Sequence, residues 1–287
     1  MNPSRRRITA AGLFGLAATS PWCALAQGGS DRVCRFSPVN QYGIELTARY
    51  WNPIIDHVSS KSGVKIELKI GRTSADTTAY VLANEVELVF SNHLFSPERD
   101  KLGWKVFGRR NTPPMFSQIA VLADSPVRKL EDLVDQPVGF PGPEAVVAYK
   151  FSYAQLLRRQ IGIQVVFAGN MDAAFAQLIS GRVKAVGANS QLTEGWSQRE
   201  NRAVRVLWQS EPLNDLALMA AKTVRPATLE AVKRAFLGMR QDPVGKSVLA
   251  SASEAVKLSP DAGFMAADGS EYAAYRQFYA SAPAELR

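Results

Sequence analysis

The chain has 287 residues, 46% hydrophobic and 21% charged, with 34 Lys and Arg against 26 Asp and Glu for a formal charge of +8. That length supports one large domain or two small ones with enough buried surface to stand without disulfide staples. Basic and acidic residues are interspersed with no run of five like charges, which argues against a nucleic-acid groove while leaving room for a small anionic ligand.

Residues 1–26 read as a cleavable export signal: Arg5, Arg6 and Arg7, an apolar run over 8–18, then Ala24, Leu25 and Ala26 before Gln27. The run is too short to span a bilayer. Ser4 to Ile8 fits the twin-arginine pattern, and three arginines also serve Sec export, so both routes stay open. Cys23 invites a lipoprotein reading, but bulky Trp22 stands where a small residue belongs, and cleavage after Ala26 gives a soluble chain starting at Gln27. Losing three arginines and no acid lowers the charge from +8 to +5. No later apolar stretch approaches the roughly 20 residues of a membrane-spanning helix. Only Cys34 then remains; in its apolar run it is expected to be a small buried core residue.

From residue 33 onward short apolar runs alternate with segments of helical period. Strands are expected at 33–36, 64–70 and 86–90, with helices at 45–61 and 75–83 between them. After an apolar run at 116–123 and a small helix at 130–134 the theme repeats. Strands at 138–140, 165–167 and 185–188 alternate with helices at 144–160 and 172–179. A helix at 192–199 and strands at 204–209 and 216–221 lead into a helical end at 227–239, 244–252 and 271–279. Two βαβαβ sets imply parallel sheets with helices on their faces. The fold class is α/β, in two lobes without a flexible linker. Turn-like breaks at Asn111-Thr112-Pro113-Pro114 and Glu211-Pro212-Leu213-Asn214 are the candidate hinges. The expected division is 27–112 plus 210–287 for lobe 1 and 113–209 for lobe 2.

In such sheets ligands sit beyond the carboxyl ends of the strands. Those tips offer Ser37, Asn40, Gln41 and Tyr42; Arg72, Thr73 and Ser74; Ser91, Asn92 and His93; and, in the second set, Gly142, Glu144, Asn170, Asn189 and Ser190. Simple roles compete. Thr73, Ser74 and Asp76 suit a helix N-cap, as do Asn189 and Ser190, and Gly142 suits a turn. Catalytic and metal constellations are poor. His57 falls within an amphipathic helix, expected on its surface, and His93 lacks an orienting acid. Two histidines and one mature cysteine are too sparse for a typical zinc site. An exported enzyme is the minority reading.

Several segments carry a family resemblance: Arg35-Phe36-Ser37-Pro38; Tyr50-Trp51 with Pro53; Leu130-Glu131-Asp132-Leu133 before Pro137-Val138-Gly139-Phe140; Phe167-Ala168-Gly169-Asn170-Met171-Asp172; and Ser180-Gly181-Arg182-Val183. In this order they resemble the PhnD-type phosphate/phosphite/phosphonate-binding proteins, class II periplasmic solute-binding proteins of ABC transporters. The resemblance implies two α/β lobes joined by two crossing hinge segments. It implies a periplasmic, monomeric protein that closes on a small polar or oxyanionic ligand without a cofactor and delivers it to an inner-membrane ABC permease. A sensor subunit docking on a histidine kinase is the alternative. By position, the cleft residues implied are Tyr42, His93, Asn170, Asn189 and the turn Pro141-Gly142-Pro143-Glu144-Ala145. That turn lacks the family's hydroxyl donors and sets the Glu144 carboxylate at a helix start, where it would compete with an anion or face a cationic or hydroxylated part of the ligand.

Overall fold

The structure, a computed structural model, describes residues 33–287; the expected export signal, with Cys23 and Gln27, lies outside the described residues. In chain order the first part contains β1 (Cys34–Pro38), α1 (Ile44–Ser62), β2 (Ile66–Leu68), α2 (Asp76–Leu82), β3 (Leu88–Ser91), α3 (Pro97–Asp100) and β4 (Lys105–Arg110). The middle contains β5 (Ser117–Leu122), β6 (Pro137–Phe140), a π-helical turn (Val146–Phe151), α4 (Ser152–Arg158), β7 (Gln164–Phe167), α5 (Met171–Ile179), β8 (Ala185–Asn189), α6 (Ser190–Glu200) and β9 (Val204–Gln209). Last come β10 (Ala217–Ala220), α7 (Pro226–Gly238), α8 (Pro243–Val256), β11 (Phe264–Met265) and α9 (Ala273–Ser281).

These strands form two sheets, ordered β11-β4-β10-β3-β1-β2 and β7-β6-β8-β5-β9. Each has a parallel trio, as the alternating pattern predicts: β2, β1 and β3 in one, β7, β6 and β8 in the other. Neither sheet is wholly parallel. The strands beside the crossings enter from the other half and pair antiparallel, β10 with β3 and β4, β5 with β8 and β9. The chain passes between sheets twice, from β4 to β5 and from β9 to β10. The two passages pair through a bridge in which Met115 and Leu213 exchange N–H···O bonds of 2.9 and 2.7 Å.

Helix α1 shows how the sequence builds one half. Thr47, Tyr50, Trp51, Ile54, Ile55 and Val58 recur at steps of three and four and are buried. Trp51 packs among Phe36, Phe90 and Tyr50 at centroid distances of 4.9, 5.1 and 5.0 Å. His57 is buried too, contrary to its expected surface position. The start of α8 lies over it, so closely that a Cβ on Gly245 would stand 3.0 Å from the imidazole Nε2. Cys34 is buried in β1 as expected.

The helix expected from Glu144 begins two residues later and is π-helical in its first turn. The N–H groups of Tyr149 and Lys150 both donate to the Ala145 carbonyl, at 2.9 and 3.0 Å. This turn presses on β8, where a Cβ on Gly187 would lie 2.2 Å from the Ala148 carbonyl, so only glycine admits the approach. The C-terminal helix touches both halves. Tyr272 and Tyr275 pack on Phe95 at 4.6 and 5.6 Å, while Phe278 stacks on Phe151 at 4.2 Å.

Candidate functional site

The carboxyl ends of the parallel strands face one another across a cavity of about 40 Å³. Asn40 and Gln41 reach it from β1, Ser74 from the loop after β2, and Asn92 and His93 from β3. The other half supplies Pro141 and residues 145–148 after β6, Met171 after β7, and Asn189 with Leu192 around the end of β8. Leu216, on the second passage, closes the wall. Hydrogen bonds between the halves cross the rim. Ser74 N–H donates to the Gly169 carbonyl at 2.9 Å, Met171 N–H to the Gln41 carbonyl at 3.3 Å, and Gly43 N–H to Asp172 Oδ2 at 3.0 Å.

Ser74 does not cap α2. The N-cap position is Ala75, without a side-chain cap, and Asp76 in the first turn reaches back to the preceding loop, accepting from the N–H groups of Arg72 and Thr73 at 2.6 and 3.0 Å. The Ser74 hydroxyl is buried beside the cavity with no protein partner. Gly142 makes room for it, since a Cβ there would lie 2.5 Å from Ser74 Oγ. The first N–H groups of the π-helical turn, on Val146, Val147 and Ala148, have no earlier helical carbonyl to bond, and these three residues line the cavity. This turn thus presents apolar side chains on donor backbone.

His93 is held on three sides. Its Nδ1 lies 3.0 Å from Thr78 Oγ1, its N–H donates to Ser91 Oγ at 3.0 Å, and its carbonyl accepts from Arg99 Nη1 at 3.0 Å. Burial pushes the imidazole down to about 3; the charge of Glu144 opposes this, and Arg99 and Lys150 reinforce it. The ring is therefore neutral at physiological pH. Asn40 is committed elsewhere, its amide donating to the Gly71 carbonyl at 3.0 Å and accepting from Thr47 Oγ1 at 2.9 Å.

Glu144 neither caps the helix nor enters the cavity. Its carboxylate accepts from both terminal nitrogens of Arg99 on α3, one of them at 3.0 Å. Burial alone would raise this carboxyl, but the hydrogen bonds and charge of Arg99 outweigh it and the net shift is downward. Asn170 caps α5, accepting from Ala173 N–H at 2.9 Å, and does not line the cavity. Asn189 does both, lining the cavity while its Oδ1 accepts from Leu192 N–H at 3.1 Å. Tyr42 is buried behind the wall under the Arg199 guanidinium, 5.6 Å from its ring centre, and burial raises its phenol to about 12. Of the predicted residues, the fold brings Asn40, Gln41, Ser74, Asn92, His93 and Asn189 onto the cavity and places Gly142 against Ser74.

Sequence reading missed the ion pairs. Arg99 lies in a charged stretch, Pro97-Glu98-Arg99-Asp100, where no element is expected. Arg110 and Asp215, at the first-sheet ends of the two passages, form a fully buried pair with Nε to Oδ2 at 2.7 Å and Nη2 to Oδ1 at 3.2 Å. Thr112 Oγ1 and Leu216 N–H also donate to Asp215, at 3.1 and 2.7 Å. Among the described residues, no group of three or more His, Cys, Asp or Glu could hold a metal ion.

A family model described as "ABC transporter, phosphonate, periplasmic substrate-binding protein" matches residues 36–272. The chain belongs to this family. The family comprises the periplasmic substrate-binding components of ABC transporters, which are binding proteins. Solved structures agree in fold. A binding-protein component of an ABC phosphonate transporter from Pseudomonas aeruginosa aligns at 15% identity and TM-score 0.71, covering 85% of this chain and 84% of that one. PhnD1 from Prochlorococcus marinus, solved with methylphosphonate, aligns at 14% identity and TM-score 0.72, covering 86% and 97%. A Xanthomonas citri protein, solved bound to ATP, aligns at 14% identity and TM-score 0.64, covering 86% and 96%. The comparison with curated proteins finds no match.

Proposed function

We propose that this protein captures a compact phosphorus oxyanion, such as methylphosphonate or phosphite, in the cavity between its lobes and hands it unchanged to an inner-membrane ABC permease. The observation carrying this reading is the chemistry of the wall: an unpartnered Ser74 hydroxyl and the helix-start N–H groups of residues 146–148 beside a neutral His93, with no unpaired carboxylate on the cavity. The charges acting on His93 are those of Arg99 and Lys150 against Glu144. On a measure where one water needs about 10–15 Å³, a cavity of about 40 Å³ holds one small tetrahedral ion. Val146, Val147, Met171 and Leu216 suit a methyl-sized substituent better than a charged tail.

In this reading the lobes are 27–112 plus 210–287 and 113–209, the passages around Met115 and Leu213 are the hinge, and closure traps the ligand. The mature protein is a monomer, exported by its N-terminal signal, and performs no chemistry. Thermal melting tests the ligand class. Methylphosphonate, phosphite or phosphate at 100 times its dissociation constant should add about 2.7 kcal/mol, raising the melting temperature by about 5 °C or more. A panel in which none of the three moves the transition, or in which a small amine alone does, refutes it.

A further inference from the structure

Arg99 stands where the two walls of the cavity meet. Its guanidinium donates at once to the carbonyl of His93, on the first half's wall, and to the carboxylate of Glu144, which directly precedes the donor turn on the other. Both side chains are largely shielded, 19% and 23% exposed, so the pair is less screened than a surface ion pair. Building on the binding role proposed above, we infer that Arg99 and Glu144 are positioning residues. They fix His93 and the 145–148 turn at their working separation and hold the cleft shut over bound ligand, without touching it.

The bond joins groups carried by different halves, so it can exist only when the halves are together. Its contribution therefore falls on ligand release more than on capture. Lysine cannot replace Arg99, because one ammonium cannot present the flat fork that serves the carboxylate and the carbonyl together. The same geometry reverses what the sequence suggests for Glu144. A carboxylate at a helix start reads as a competitor for the anion, whereas one neutralised by Arg99 supports the site.

Stopped-flow and calorimetric measurements with methylphosphonate on wild type, Glu144→Gln and Arg99→Lys test this. The expected result is a release rate and Kd each raised about tenfold, equivalent to about 1.4 kcal/mol, an association rate changed less than about threefold, and an unchanged melting temperature without ligand. Unchanged release and Kd in both variants overturn the inference. So does a loss of affinity matched by an equal loss of ligand-free stability, which marks a merely structural pair. Should wild type bind none of the phosphorus oxyanions, the ligand reading fails separately, and the pair is then judged by distances between spin labels at Lys65→Cys and Asp124→Cys. Longer or broader distances in Glu144→Gln support the clasp, and identical ones overturn it.

Discussion

Asparagine at position 215 removes one charge from a buried pair and leaves the shape almost unchanged. Asp215 accepts four hydrogen bonds, two on each oxygen: Arg110 Nε and Thr112 Oγ1 at 2.7 and 3.1 Å, Arg110 Nη2 and Leu216 N–H at 3.2 and 2.7 Å. An amide nitrogen in place of either oxygen faces two donors. Arg110 then keeps the Phe90 ring, 4.9 Å from its Cζ, and a marginal bond to Gln41 Oε1 at 3.5 Å, while its Nη1 already lacks a partner. A buried cation stripped of its counter-charge typically costs 3–5 kcal/mol, so Asp215→Asn should lose roughly that amount. In urea, with a slope near 2–3 kcal/mol/M for a chain of this size, the midpoint should fall by roughly 1–2.5 M. Tryptophan fluorescence follows the transition. Replacing both partners, Arg110→Met with Asp215→Leu, should recover at least half of the loss, since no isolated charge remains buried. A single variant within about 1 kcal/mol of wild type, or a double variant no better than the single, would refute the reasoning.

Gly142→Ala should fold normally, because the obstructing atom is a hydroxyl that can rotate, but the displaced Ser74 Oγ should leave the cavity; calorimetry should find methylphosphonate binding weakened by about tenfold or more. His93 gives a pH signature. Its folded value of about 3 lies below the ordinary value of about 6.5, so the unfolded chain binds more protons between them, and the associated stability is complete above 6.5 and lost as pH falls. At pH 5 the loss from this group should be about 2 kcal/mol relative to pH 7.5, and His93→Asn should abolish that slope in urea titrations. Asn170→Ala and Asn189→Ala each remove a cap worth about 1 kcal/mol, but only the second should also weaken ligand binding, since only Asn189 lines the cavity.

The parts of the fold legible in the sequence are those in which one segment carries its own instruction. The steps of three and four through Tyr50, Trp51, Ile54 and Val58 declare α1, and the apolar run of β3 declares a strand buried on both faces. Strand β4 is silent because Arg109 and Arg110 make Lys105–Arg110 look solvated, and only Asp215, 105 residues away, neutralises the buried guanidinium. The site divides in the same way. Ser74, Asn92, His93 and Asn189 follow from topology, since loops beyond parallel strands must face the crevice. Arg99 and Glu144 follow from nothing local, being joined across 45 positions by the meeting of the two halves. A carboxylate's meaning is set by its partner: alone at a helix start Glu144 would repel an anion, and beside Arg99 its charge is neutralised. Charges that carry no burial signal in the sequence thus pair over long separations, Arg110 with Asp215 where both passages leave the first sheet and Arg99 with Glu144 between the halves at the cavity rim.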